Sequence, residues 1–216
     1  MAAESNRKEL FDRWSSYYDE SVNRDAFPFT GYKDVMKTIL RLADLEADQR
    51  ILDLGVGTGN LSKLLVKITT QVWGADFSEE MLKRARSVLP QSHLIQVDLR
   101  SDLWPGTLQG PFDRILSAYT FHEFSDAYKV TLLLRLARES LTPDGLIVIG
   151  DISYPTRSQF SKAHQDLLGL WDEEEYYWCA EKLIPQLEET GFKVDYEQVS
   201  ECGGVYCLSQ NGEWIS

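Results

Sequence analysis

The sequence predicts an α/β fold in which an open, mainly parallel sheet carries helices on both faces. A short apolar run at 51–54 passes through a glycine-rich loop into a segment whose apolar residues recur at helical spacing. Further strand-like runs follow at 72–76, 93–97, 112–119 and 146–150, and helical patterns lie between most of them. Strands that alternate with helices in this way are typical of parallel sheets covered on both sides.

The glycine-rich loop is the strongest local signal in the chain. Gly55, Gly57 and Gly59 occupy alternate positions shortly after Asp53. Glycine permits positive φ angles and lets a ligand approach closer than a Cβ would allow. The first turn of the helix that follows, near Leu61, offers free backbone N–H groups. The loop is therefore predicted to hold a small molecule against the start of this helix.

Asp76, at the end of the second strand, indicates what kind of molecule binds. It lies 17 positions after Gly59, close to where dinucleotide-binding domains carry the acid that binds a ribose. A carboxylate there accepts hydrogen bonds from two vicinal hydroxyls, which suits a nucleoside. Asn60 stands where the dinucleotide pattern has its third glycine. The loop therefore disfavours NAD and fits a ligand without a pyrophosphate, such as S-adenosylmethionine.

These motifs together resemble those of class I S-adenosylmethionine-dependent methyltransferases. The series comprises DLGVGTGN, GADFSEEML, QVDL and the apolar FDRILSAYTFHEF. A similarity to the small stand-alone bacterial methyltransferases of the YrrT type is carried by the outer segments FDRWSSYYD and EEYYWCAEKLIPQLEETGF. The resemblance implies a Rossmann-like sheet of seven strands, an N-terminal helical cap, and a last strand inserted antiparallel.

The resemblance also implies roles for residues outside the glycine loop. Asp98, at the end of the third strand, would accept the exocyclic amine of adenine, and the N–H of Leu99 would face a ring nitrogen. Phe77 and Met81 would cover the adenine, although ordinary core residues would show the same pattern. Tyr18 would face the sulfonium as a cation–π partner. A helix that simply packs its aromatic residues on the domain would account for Tyr18 equally well.

The segment after the fourth strand is expected to border the reaction centre. Ligands of open α/β sheets bind beyond the carboxyl ends of the strands at the switch point, which the first and fourth strands flank. Ser117 to His122 should therefore border the methionine half of the cofactor and the incoming nucleophile. His122 is a candidate general base, with a structural or purely hydrogen-bonding role as the alternative. The Asp/Asn-Pro-Pro-aromatic and Pro-Cys motifs of DNA methyltransferases are absent here.

Composition restricts the classes of partner. The chain has 34 acidic and 22 basic residues, for a net charge of −12, which disfavours a nucleic-acid substrate. There is no apolar run long enough to span a membrane and no apolar core of a signal sequence, so a cytoplasmic protein without membrane attachment is expected. The densest basic cluster is interpreted as a solvated face that pairs with Glu79 and Glu80. Its members are Lys83, Arg84, Arg86 and Arg100.

The cysteine and histidine pattern does not indicate a metal site. The three cysteines, Cys179, Cys202 and Cys207, lack a CxxC unit and are expected to be reduced thiols. Together with His93, His122 and His164 they show no recognisable ligand spacing, so no metal is expected.

The remaining segments complete a single domain over 1–216. It is divided into an N-terminal helical cap (1–45), a cofactor-binding core (50–151), and substrate-side helices with a C-terminal hairpin (152–216). Helices are predicted at 4–20, 32–45, 81–88 with Ser78 as N-cap, and 126–140. The long connection after the fifth strand predicts two more, at 158–170 and 173–189. The aromatic and acidic residues at 171–178 indicate either a substrate-selecting lid or a helix that buries its aromatic side chains.

The predicted reaction is in-line attack of an acceptor O, N, S or C atom on the cofactor's methyl group. The acceptor is expected to be a small molecule, and the protein a monomer or homodimer. A non-catalytic module that binds S-adenosylmethionine or its demethylated product and acts through a protein partner is the alternative. An oxidoreductase that uses a nicotinamide cofactor is disfavoured by Asn60.

Overall fold

A computed structural model of the chain describes residues 18–108 and 110–210. The strands are β1 (Ile51–Leu54), β2 (Val72–Asp76), β3 (His93–Gln96), β4 (Phe112–Ala118), β5 (Leu141–Tyr154), β6 (Trp178–Cys179), β7 (Phe192–Gln198) and β8 (Gly203–Gln210). The helices are α1 (Tyr18–Val22), α2 (Tyr32–Ala43), α3 (Ser62–Leu65), α4 (Glu79–Val88), α5 (Asp126–Glu139), α6 (Arg157–Asp166) and α7 (Ala180–Glu189). Most of the predicted helix at 4–20 lies outside the described residues.

The sheet has the order β3-β2-β1-β4-β5-β8-β7, and the short strand β6 pairs with β5 off this path. The first five strands pair in parallel, whereas β8 is antiparallel to both of its neighbours, β5 and β7. The predicted α/β fold, the seven-stranded path and the antiparallel last strand are confirmed.

The central strands are apolar because helices cover them on both sides. All four residues of β1 are buried, as expected for a parallel strand in the middle of a doubly covered sheet. On one face, α5 and α7 pack with Phe112 and Trp178. On the other face, α2 lies directly on β5: a side chain at Gly150 would come within 2.6 Å of Val35 and 2.7 Å of Ile39. This packing holds the carboxyl ends of β1 to β5 in fixed positions.

The helix that follows β2 begins where the sequence predicts. The Ser78 hydroxyl accepts a hydrogen bond from Met81 N at 3.2 Å and so caps α4. The cap fixes the point at which the chain leaves the end of β2, directly beside Asp76. None of the described helices has the length and apolar content that a membrane crossing requires.

The region between α6 and α7 differs from the prediction. The predicted helix at 173–189 begins only at Ala180, and the residues before it form a turn and then β6. Tyr176 N donates to His122 O at 2.7 Å, and Trp178 and Cys179 pair with the end of β5. These hydrogen bonds hold the backbone extended, so tertiary pairing overrides the local helical pattern.

Candidate functional site

A cavity of about 360 Å³ opens at the carboxyl ends of β1 to β4. The loops after all four strands contribute to its wall, because the carboxyl ends of parallel strands lie at the same edge of the sheet. Tyr119, directly after β4, has φ of 54° and contributes to the cavity wall, while its ring packs against Phe29 and Tyr32. A non-glycine residue in the left-handed region is strained and is often found at a functional site.

Eight of the predicted site residues line this cavity: Tyr18, Gly55, Gly57, Asp76, Phe77, Met81, Asp98 and Leu99. Asp53 instead lines a smaller cavity of about 20 Å³, whose wall also includes Tyr18, Gly55 and Gly57. Gly59, Ser117 and His122 line neither cavity. The structure thus brings together the residues that the glycine loop and the ends of β2 and β3 contribute.

Two of the residues outside the cavities, Ser117 and Gly59, contribute to the packing behind the wall of the larger cavity. The Ser117 hydroxyl is buried and donates to Leu54 O at 2.7 Å, which joins β4 to the end of β1. A side chain at Gly59 would come within 2.7 Å of Leu89 Cδ1. Gly59 therefore allows the loop to pack closely on the end of α4.

The glycine loop is held by both packing and hydrogen bonds. Gly55, Gly57 and Gly59 have φ angles of 69°, 52° and 87°, a region that side chains disfavour. A Cβ at Gly55 would come within 2.0 Å of Thr120 Oγ1, whereas one at Gly57 would meet nothing closer than 3.9 Å. Gly55 is therefore required by the protein's own packing. Gly57 leaves open space in the cavity wall.

Asp76 connects the loop to the second strand. Its Oδ2 accepts a hydrogen bond from Gly57 N, and its Oδ1 accepts one from Ser78 N, both at 2.9 Å. The side chain also lines the cavity. Each carboxylate oxygen has two lone pairs, so Asp76 can fix the loop and still accept hydrogen bonds from a ligand.

Asp19 fastens the N-terminal segment to the same loop. Its Oδ1 accepts hydrogen bonds from Thr58 Oγ1 at 2.7 Å and from Asn60 Nδ2 at 2.9 Å. These bonds hold the neighbouring Tyr18 over the junction of the two cavities. Burial raises the pKa of Tyr18 well above its ordinary value, so its ring is a neutral phenol. The positional role of Asn60 was not predicted.

Asp53 is an ionisable group in an apolar strand. It is 1% exposed, and Ser62 Oγ donates to its Oδ2 at 2.6 Å. Burial raises its pKa to about 7, and the nearby charge of Asp76 acts in the same direction. The charge of this carboxyl group therefore changes near neutral pH.

The outer wall contains residues that the sequence did not single out as site residues: Arg100, Glu123, Phe124, Glu174 and Tyr176. Arg100 does not lie with the other members of the predicted basic cluster. Its Nη2 donates to Glu123 O at 2.9 Å, and its guanidinium lies 4.8 Å from the Phe124 ring centroid. Lys83 and Arg86 do pair with Glu80 and Glu79.

The aromatic segment at 171–178 is not the helix that the sequence offered as one alternative, since it forms a turn and then β6. The substrate-selecting lid stays a prediction. Tyr176 is 49% exposed and lines the cavity. Tyr177 and Trp178 are buried in the two apolar clusters of the sheet. Glu174 and Tyr176 of this segment therefore line the cavity, while Tyr177 and Trp178 anchor the turn.

His122 lies behind the wall rather than on it. Its Nδ1 is 2.7 Å from Asp151 Oδ1, and its backbone N donates to Asp151 Oδ2 at 2.9 Å. Burial alone lowers the pKa of His122, but Asp151, Glu175 and Glu123 outweigh that effect and raise it to about 9. The imidazole thus carries a proton at neutral pH, which argues against the general-base role. That role stays a prediction.

The sequence matches that of known methyltransferases. Residues 51–145 match the family model described as a methyltransferase domain. The chain is 34% identical to an uncharacterized methyltransferase of Geobacillus kaustophilus, over 88% of this chain and 90% of the relative.

Two solved structures share the fold at low sequence identity. A complex of DhpI with SAH superposes with a TM-score of 0.70 at 18% identity and covers 95% of this chain and 96% of that one. Magnesium protoporphyrin IX methyltransferase from Synechocystis, with bound SAH, gives 0.68 at 15% identity and covers 96% and 99%.

Replacing Gly55 by Ala should destabilise the protein, because the new Cβ meets Thr120 and the φ angle becomes strained. The expected loss is at least about 2 kcal/mol of the free energy of unfolding. Gly106→Ala is the matched control, since a Cβ there has nothing within 4 Å. Urea denaturation measures both, and equal losses would contradict the packing role of Gly55.

Asp53 should make stability depend on pH. Its folded pKa of about 7 exceeds the ordinary value of 3.8. Its contribution to stability is therefore complete below the lower value and is lost as the pH rises through the higher one. The free energy of unfolding of the wild type relative to Asp53→Asn should fall by about 4 kcal/mol across this range. Denaturation of both proteins in a pH series measures it, and a constant difference would refute the assignment.

Proposed function

The chain belongs to the methyltransferase family, and from this premise we propose that it transfers a methyl group from S-adenosylmethionine to a small-molecule acceptor. The observation that carries the proposal is the convergence of the glycine loop, Asp76 and Asp98 on one cavity. The structural relatives with bound SAH have the same fold. Their ligand is the product that S-adenosylmethionine leaves after methyl transfer.

The cavity can accommodate the three parts of this cofactor in sequence. The Asp76 carboxylate accepts hydrogen bonds from the ribose hydroxyls. The Asp98 carboxylate accepts one from the adenine amine, beside the N–H of Leu99. Phe77 and Met81 flank the adenine ring. The open space at Gly57 admits the methionine part, since no side chain occupies it. In this arrangement the sulfonium lies near Tyr18, whose neutral ring is suited to a cation–π contact.

The chemistry requires positioning more than acid or base groups. The acceptor atom forms a bond to the methyl carbon while the carbon–sulfur bond breaks. The electron pair of the broken bond returns to the sulfur and gives a neutral thioether. Holding the reacting atoms in line can lower the activation free energy by about 7–11 kcal/mol. A proton on the acceptor is released to solvent or to a nearby carboxylate, so the charged His122 is not needed as a base.

The acceptor side of the cavity favours a small molecule. Phe124 and Tyr176 offer aromatic surface, and Glu123, Glu174 and Arg100 add charged side chains to the wall. The whole cavity has a volume of about 360 Å³, near the lower end of the range of about 300–1,000 Å³ for small-molecule sites. The cofactor takes up much of it, so the space left for the acceptor is small. The net charge of −12 also opposes a phosphate-rich acceptor.

Asp76→Ala should weaken the binding of S-adenosylhomocysteine at least tenfold, because the ribose loses an acceptor and Gly57 loses its anchor. Asp102→Ala is the matched control: it removes the same charge at an exposed position after β3. Isothermal titration calorimetry on both variants tests this prediction. Equal affinity in the two variants would remove Asp76 from the site.

The protein should also turn over. With methyl-labelled S-adenosylmethionine and a panel of small amines, alcohols, thiols and acids, S-adenosylhomocysteine and a labelled acceptor should form in equal amounts. Asp76→Ala should reduce this rate at low cofactor concentration. Tight cofactor binding without product from any acceptor would contradict the proposal and favour a non-catalytic binding module.

A further inference from the structure

Three side chains with metal-ligating atoms converge at the cavity wall and directly behind it. The Nε2 atom of His122 lies 3.7 Å from Glu123 Oε1 and 3.7 Å from Glu175 Oε1. Ligand atoms of the three residues all lie within 4.8 Å of one another. The side chains are 7%, 8% and 17% exposed. We propose that His122, Glu123 and Glu175 form a binding site for a divalent transition-metal ion.

The distances fit a shared cation better than direct contact. A charge-assisted hydrogen bond between imidazole and carboxylate has an N···O distance of about 2.7–2.9 Å, and the pair formed by His122 Nδ1 and Asp151 is of this kind. Both glutamates instead stand about 1 Å farther from Nε2. Atoms bound tetrahedrally to one ion at about 2.1 Å are about 3.4 Å apart. A contraction of the group from its present separations of 3.7 Å and up to 4.8 Å would therefore let all three atoms bind one ion.

Asp151 provides the support that metal-binding histidines commonly have. It is fully buried and holds His122 through both Nδ1 and the backbone N. Ile152 N and Trp178 Nε1 also donate to this carboxylate, at 2.8 and 3.3 Å. A carboxylate on one imidazole nitrogen fixes the ring orientation and strengthens the other nitrogen as a ligand. It directs Nε2 of His122 between the two glutamates.

The backbone positions of the ligands are also fixed before any ion binds. His122 and Glu123 lie on a short 3₁₀ turn, Phe121–Glu123, that follows β4. Glu175 lies in the turn before β6, and Tyr176 N fastens this turn to His122 O at 2.7 Å. This hydrogen bond joins the two segments, so less conformational entropy is lost when an ion is bound.

The charges of the region favour a divalent ion. The Glu123 and Glu175 carboxylates both lie 3.7 Å from His122 Nε2, and the Asp151 carboxylate lies 2.7 Å from Nδ1. A divalent cation between these carboxylates would offset more of their negative charge than the single proton of an imidazolium does. One imidazole nitrogen with two carboxylate oxygens suits Zn²⁺, Mn²⁺ or Fe²⁺.

Three protein ligands leave at least one position open, as in catalytic rather than structural sites. Glu123 also lines the cavity, so an ion held by this carboxylate would lie next to the cavity wall. An acceptor oxygen or nitrogen that reached the open position would be held near the cofactor site. This consequence rests on the proposed function, but the metal site itself does not.

The test is calorimetry of the full-length protein, stripped with a chelator and titrated with ZnSO₄ or MnCl₂ alone. One ion should bind per chain, and Glu175→Gln and Glu123→Gln should each weaken binding at least tenfold. Glu173→Gln, an exposed acid of the same turn, is the matched control and should bind as the wild type does. Circular dichroism verifies that each variant is folded.

X-ray absorption of the zinc-loaded wild type tests the site without any variant. The expected shell contains one imidazole and otherwise oxygen ligands. Lack of binding, equal binding by Glu175→Gln and Glu173→Gln, or a shell without imidazole would overturn the proposal and leave the triad as an ion-pair network. Titration of the stripped protein with S-adenosylhomocysteine separates this failure from failure of the proposed function.

Discussion

The candidate site depends on the two hydrogen bonds that the Asp76 carboxylate accepts, one through each oxygen. One oxygen holds Gly57 and the other holds the N–H of Ser78, so a single side chain sets the loop after β1 relative to the helix after β2. The loop itself can approach only because Gly55 has no side chain against Thr120. Together these constraints bring three strand ends to one cavity. The same carboxylate also lines the cavity, so one side chain sets both the position of the loop and part of the cavity wall.

Two buried aspartates show how the surroundings decide the charge of a side chain in this fold. Asp151 accepts hydrogen bonds from His122, Ile152 and Trp178, and despite its burial its pKa lies below the usual value. Asp53 has Ser62 as a donor and the like charge of Asp76 nearby, and burial raises its pKa. Asp151 therefore forms a permanently charged anchor behind the wall. Asp53 can be neutral beside the cavity.

Features governed by local rules were predictable from the sequence. The alternating glycines, the Ser78 cap and the acids at the ends of β2 and β3 follow from backbone and turn chemistry within a few residues. Contacts between distant segments were not predictable, as with Asp19 on Thr58. The group of His122 and Glu175 also escaped the spacing rules for metal ligands, because a turn fastened by Tyr176 brings the two residues together. The same turn and β6 replace the first part of the helix expected at 173–189, which begins only at Ala180.

A crystal structure of the protein with S-adenosylhomocysteine tests the central claim most directly. The account predicts ribose hydroxyls within hydrogen-bonding distance of Asp76, the adenine amine at Asp98, and the thioether sulfur between Tyr18 and the loop that contains Tyr119. A ligand bound elsewhere, or in this cavity with its ribose away from Asp76, would contradict it.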